Sequence, residues 1–154
     1  MNKEPIYEWH NDEGVAVCVL QYKTMTITGL AQCHPDDEDM KSKLTGETIA
    51  ELRAVIKLWQ FIRDFEIMPQ LKSLKQLYYS MNHSKYFDPR SYEAKMLYRQ
   101  IKLLEEDLVA VKEEIQRSKD ELKAYLETKE KDHEKLRNYK AKKELAEDNQ
   151  ESCN

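Results

Sequence analysis

The sequence predicts an α+β protein: a small N-terminal antiparallel sheet packed on an amphipathic helix, followed by a long C-terminal coiled-coil helix. Three observations carry this reading. β-Branched and alternating segments are confined to residues 6–33, apolar residues recur at three- and four-residue spacing from Ile49 onward, and neither Gly nor Pro occurs after Pro89. The division predicted is a small α+β domain over 1–87, a long oligomerising helix over 88–147, and a disordered tail over 148–154.

The strands come first. "GVAVCVLQY" is apolar on almost every residue, and "TMTITGLAQC" sets Met25, Ile27 and Leu30 against Thr24, Thr26 and Thr28. Tyr22-Lys23-Thr24 is the expected turn, and "PIYEW" supplies a third, edge strand. A two-stranded ribbon is marginal in water, so this sheet must lie on a helix or on another copy of itself.

That helix follows directly. Thr45-Gly46-Glu47 opens it, and Ile49, Leu52, Ile56, Trp59, Ile62 and Phe65 fall on one face. Pro69 limits it, because proline cannot continue the i to i−4 ladder. A shorter helix is expected from Pro69 to about Met81, with Leu71, Leu74, Leu77, Tyr78 and Met81 inward, and "NHSKYFDPR" is a loop. Asp88-Pro89 restarts the helix, with Asp as N-cap and Pro at the first helical position.

From there the pattern is heptad. Leu97, Ile101, Leu104, Leu108, Val111, Ile115, Ser118, Leu122 and Tyr125 follow alternating steps of four and three, the seam of a coiled coil. The seam positions then become Lys129 and Asp132 before Leu136 and Tyr139. A helix from Arg90 to about Glu147 is on the order of 85 Å long at 1.5 Å per residue. A single rod has nothing to bury its stripe against, so the seam predicts a homo-oligomer formed through Leu97, Ile101, Leu104, Leu108, Val111, Ile115 and Leu122.

Composition narrows the function classes. Charged residues make up 35% of the chain, mean hydropathy is −0.84, and no apolar run approaches the roughly 20 residues that span a bilayer. The N-terminus lacks the apolar core of a signal peptide. Cys18, Cys33 and Cys153 match no zinc template, and three cysteines cannot close a disulfide framework, which predicts reduced thiols in a cytoplasm. The net charge of −4 disfavours a phosphate backbone as partner.

Chemistry is thinly represented. Cys33 and His34 precede the acid run Asp36-Asp37-Glu38-Asp39, which has neither calcium-loop spacing nor enough nitrogen and sulfur ligands for zinc. It reads as a solvated acidic turn near a helix start. His10, His34, His83 and His133 have no nucleophile-elbow, P-loop, dinucleotide or HExxH context, so no enzyme, cofactor or metal is expected.

Two clusters remain as candidate ligand sites. Arg53 and Lys57 lie one turn apart on the first helix, where they either extend to water or meet an anion across the sheet. In "YYSMNHSKYFDPR", Tyr86, Phe87 and Arg90 combine aromatic faces with a cation, as base stacking with phosphate pairing requires. The competing reading packs these aromatics on the root of the rod.

Gly29, Ala31, Cys33, Pro35 and Asp37, followed by Gly46, Ala50, Arg53 and Ala54, form a G-x-A-x-C-x-P-x-D strand end and a G-x-x-x-A-x-x-R-A helix start. This pattern, about a fifth of the chain, resembles small proteins of phages and prophages of Gram-positive bacteria, among them anti-defence sponges of the Thoeris type. The resemblance implies a phage accessory protein that sequesters a nucleotide-derived immune signal at subunit interfaces of an oligomer, without catalysis. Arg53 is the one candidate carried by the pattern itself, and the long C-terminal rod departs from a compact sponge.

Gly46 and the Ala50–Ala54 spacing also look like the final helix of a double-stranded-RNA-binding fold. That family's helix begins rich in lysine, where this chain reads Thr45-Gly46-Glu47-Thr48. The alternative to sequestration is a protein-interaction module that inhibits a host defence protein, such as a CRISPR nuclease, by docking or by DNA mimicry through Asp36 to Asp39.

Overall fold

The computed structural model describes residues 6–10, 14–32 and 43–151, with side chains except those of Trp9, His10 and residues 144–151. Strands β1 (Ile6–His10), β2 (Val15–Tyr22) and β3 (Met25–Gln32) form an antiparallel sheet in the order β1-β2-β3. The chain is thus α+β, with all three anticipated strands present. A two-residue loop, Lys23-Thr24, joins β2 to β3, and Lys23 adopts φ 54°. That is left-handed backbone for a residue other than glycine.

Helix α1 (Lys43–Phe61) begins two residues ahead of the expected Thr45 start and leaves Gly46 buried within it. Its small residues make the sheet contact. Ala50 and Ala54 are fully buried against Ala16, Cys18 and Ala31, with Leu20 and Ile49 at the margin. Gly29 completes this surface, since a Cβ there would collide with the Ala50 carbonyl oxygen and stand 2.6 Å from the Ala54 nitrogen.

Pro69 was expected to limit the first helix, but the helix continues. A π-helical turn, Ile62–Ile67, leads straight into α2 (Met68–Asn82), and the Met68 N–H bonds the Arg63 carbonyl five residues back. Proline lacks an N–H and crowds the carbonyl four residues earlier, and a wider turn just before it accommodates both. The extra residue shifts the phase of the face. Ile62 and Ile67, five apart, both meet Val111 and Ile115, whereas Phe65, expected inward, is 70% exposed and stacks on Phe61.

Helix α3 (Tyr92–Glu151) starts later than Asp88-Pro89 suggests. Ser91 is the cap, its Oγ accepting the Ala94 N–H at 3.2 Å, while Asp88 Oδ1 accepts the Arg90 N–H at 2.9 Å in the preceding turn. Proline at the intended first position is therefore part of the turn rather than of the helix.

The heptad seam finds its partner within the chain. Leu97 and Ile101 bury against Leu71, with Leu74, Tyr78 and Met81 alongside, and Val111 and Ile115 bury against Ile67, with Trp59 and Ile62 alongside. Rising numbers on α3 meet falling numbers on α1–α2, so the two helical runs form an antiparallel hairpin. This corrects the premise that the stripe needs a second copy: the preceding helix supplies the missing surface, at least as far as Ile115. Leu77, expected inward with this group, is 51% exposed. α1 consequently lies between the sheet and α3.

Candidate functional site

Arg53 and Lys57 act on the sheet edge. β3 is an outer strand, and the Tyr22–Met25 pair closing the hairpin directs Ile27, Gly29 and Ala31 toward β2, leaving the carbonyls of Thr28 and Leu30 pointing outward. Arg53 Nη1 donates to the Leu30 carbonyl at 2.6 Å, and Lys57 Nζ donates to the Thr28 carbonyl at 2.8 Å. Two cations on an edge left unpaired among the described residues also discourage another strand from adding there.

Tyr86, Phe87 and Arg90 lie at the far end of the hairpin, beyond α2. The path along the helical run from Lys57 to Asn82 is about 38 Å at 1.5 Å per residue. The structure therefore does not gather the five candidate ligand residues into one place within a chain. Phe87 packs edge-on against Tyr78 at 6.0 Å, and Tyr78 meets Tyr98 at 6.0 Å, so this aromatic group ties the loop to the root of α3. Tyr86 is 89% exposed. His83 closes the end of α2, its Nδ1 donating to the Tyr79 carbonyl at 2.8 Å.

Among the proposed oligomer residues, Leu97, Ile101, Val111 and Ile115 are buried, Leu104 and Leu108 are half-buried between the helices, and Leu122 is half-buried farther along. Ser118 is also buried in this row. Beyond it Leu126, Leu136 and Tyr139 are exposed.

Tertiary ion pairs reinforce the frame. Glu66, from the π-helical turn, accepts from Tyr22 Oη at 3.0 Å and from Lys23 Nζ at 2.5 Å, holding the β2–β3 turn. The Lys23 hydrogen bond keeps the Glu66 carboxyl below its ordinary range. Glu105 bonds Lys75 of α2 at 2.7 Å and Lys102 at 2.9 Å, which together bring its pKa down to about 2.

Two grooves flank the α2–α3 contact, and the sequence reading did not find them. One, about 630 Å³, lies among Pro69, Ser73 and Leu74 of α2 and Gln100, Leu103 and Leu104 of α3, with Asp107 as the one charged group in its lining. The other, about 790 Å³, lies among Met68, Leu71, Lys72, Lys75, Tyr79 and Leu108. The available signal was the charge-poor stretch Pro69-Gln70 and Ser73-Leu74 in a chain otherwise rich in charge. It becomes informative only once α2 and α3 are known to lie together.

No group of three or more metal-ligating side chains forms among the described residues. Cys33, His34 and Asp36 to Asp39 lie outside the described residues, as does Cys153. No helix among the described residues is long and apolar enough to cross a membrane. Comparison of the chain with known protein families, characterised proteins and solved structures finds no match.

Proposed function

We propose that this protein is a non-enzymatic interaction module that accepts an amphipathic helix of a partner protein in the groove walled by Leu74 and Leu103. One observation carries the reading: a charge-poor groove runs between two helices, with Leu103, 51% exposed, in its wall. Depletion of charge around apolar anchors distinguishes the centre of a protein interface from ordinary surface. A guest helix would place apolar residues at i, i+4 and i+7 between α2 and α3 and a basic residue toward Asp107, a helix-in-groove mode of recognition.

The phage resemblance extends the proposal to a host defence protein as the guest, held by docking. The proposed setting is a host cytoplasm, where the buried Cys18 remains a thiol. A photo-reactive residue at Ser73, in the full chain in its own cells, tests the reading. It predicts a discrete adduct with another protein that disappears with Leu103→Asp. No adduct, or one indifferent to Leu103→Asp, would overturn it.

Sequestration of a small nucleotide-derived anion is a second reading, favoured by the larger groove, where Lys72 and Lys75 accompany an exposed Tyr79 ring. Cations beside an aromatic face suit phosphate pairing with base stacking. Titration calorimetry with cyclic nucleotides and cyclic ADP-ribose decides it: heat that is lost with Lys72→Glu supports this reading, and no heat across the panel removes it.

A further inference from the structure

β2 is apolar on both faces. Ala16, Cys18 and Leu20 face α1, and Val15, Val17 and Val19 face the other way, where no described element packs. A near-continuous apolar strand is the pattern of a strand covered on both sides. Around the valines on this outer face lie Ile6, 53% exposed, and Leu30, 51% exposed.

The registers place charge on this sheet in a specific way. Glu8 pairs with Val17 and Val17 pairs with Leu30, so the three form one row across the sheet. Arg53, bonded to the Leu30 carbonyl, extends that row past the β3 edge. Glu8 is the one charged side chain among the described residues of the face, and it occupies the opposite edge. An acid at one end of a row and a base at the other match the same row turned over.

We infer that the outer face of the sheet binds the same face of a second copy of this chain. A two-fold axis along the strands, passing between Val17 and Leu30, stacks the sheets as an aligned sandwich about 10 Å apart. Val17 of each protomer meets Leu30 of the other, and Glu8 of each falls opposite Arg53 of the other. The contact is isologous, so every such pair occurs twice. The surface is independent of the α2–α3 groove and leaves that groove open in both protomers.

The test is sedimentation equilibrium of the full chain, with circular dichroism and a denaturation midpoint confirming the fold of each variant. A dimer is expected, and Val17→Lys should give a folded monomer. Glu8→Arg and Arg53→Glu should each weaken the dimer about tenfold or more, equivalent to about 1.4 kcal/mol. Mixing these two variants restores opposite charges at both pairs, so the mixture should form heterodimers with near-original affinity. A monomeric original chain, a dimer that survives Val17→Lys, or a mixture no tighter than its components would overturn the inference.

Discussion

β3 crosses α1 at backbone contact where Gly29 meets Ala50: a methyl group on Gly29 would collide with the Ala50 carbonyl oxygen. The obstacle is backbone on a buried helix, with no flexible side chain to give way. Gly29→Ala should therefore lower stability by about 2–4 kcal/mol, a severe case of overpacking. Urea titration measures it, and a compensating Ala50→Gly should recover little, because the Ala50 carbonyl remains.

Arg53 and Lys57 hold carbonyls of the β3 edge. Replacing either by Met, which keeps most of the stem, should lower stability by about 0.5–1.5 kcal/mol, the range for one lost hydrogen bond. Neither change should alter helix-peptide binding at the α2–α3 groove. A stability unaffected by both substitutions would show these contacts to be energetically idle.

The start of α3 is assigned to Ser91 by its bond to the Ala94 N–H. Ser91→Ala should cost about 1 kcal/mol, in the range of lost N-caps, and increase hydrogen exchange at Ala94. Asp88→Ala removes a turn contact to Arg90 and should have the smaller effect.

The pH dependence has two edges. Burial and the nearby Glu51 carboxylate push the Cys18 thiol from 9.0 to about 11, while partial burial and a hydrogen bond with Glu51 push the Tyr7 phenol from 10.0 to about 12. The unfolded chain loses these protons first, so stability is full below about pH 9 and falls as pH rises through 9 to 12. Tyr7→Phe should flatten the upper part of that fall, read as urea midpoint against pH.

At the acid edge, Glu105 is lowered from 4.5 to about 2 by Lys75 and then Lys102. Its contribution is present above 4.5 and is lost as pH falls toward 2. Glu105→Gln should make stability less sensitive to pH in that interval.

The strands and the helical periodicities were legible because alternation and three-to-four spacing are local properties of the chain. The destination of each apolar stripe was not. Leu97 to Ile115 reads as an intermolecular seam until α2 is known to fold back along it. Pro69 is a correct signal of helix disturbance, yet only the packed structure shows the disturbance resolved as a π-helical turn, with Ile67 in the place expected for Phe65. The small residues Gly29, Ala31, Ala50 and Ala54 of the recognised pattern have a packing reason of their own, and its Arg53 belongs to the sheet edge. The charge-poor groove draws on residues some 30 positions apart and had no local signature.

The chain's own α2 fills the seam, and the groove proposed to dock a partner lies beside it. Pulsed electron paramagnetic resonance on the full chain, spin-labelled at Lys72 and Arg99, tests this directly. A short, narrow distance that persists after mixing with excess unlabelled chain is predicted. Its disappearance on dilution with unlabelled chain would place the partner of Leu97 and Ile101 in another molecule and contradict the account.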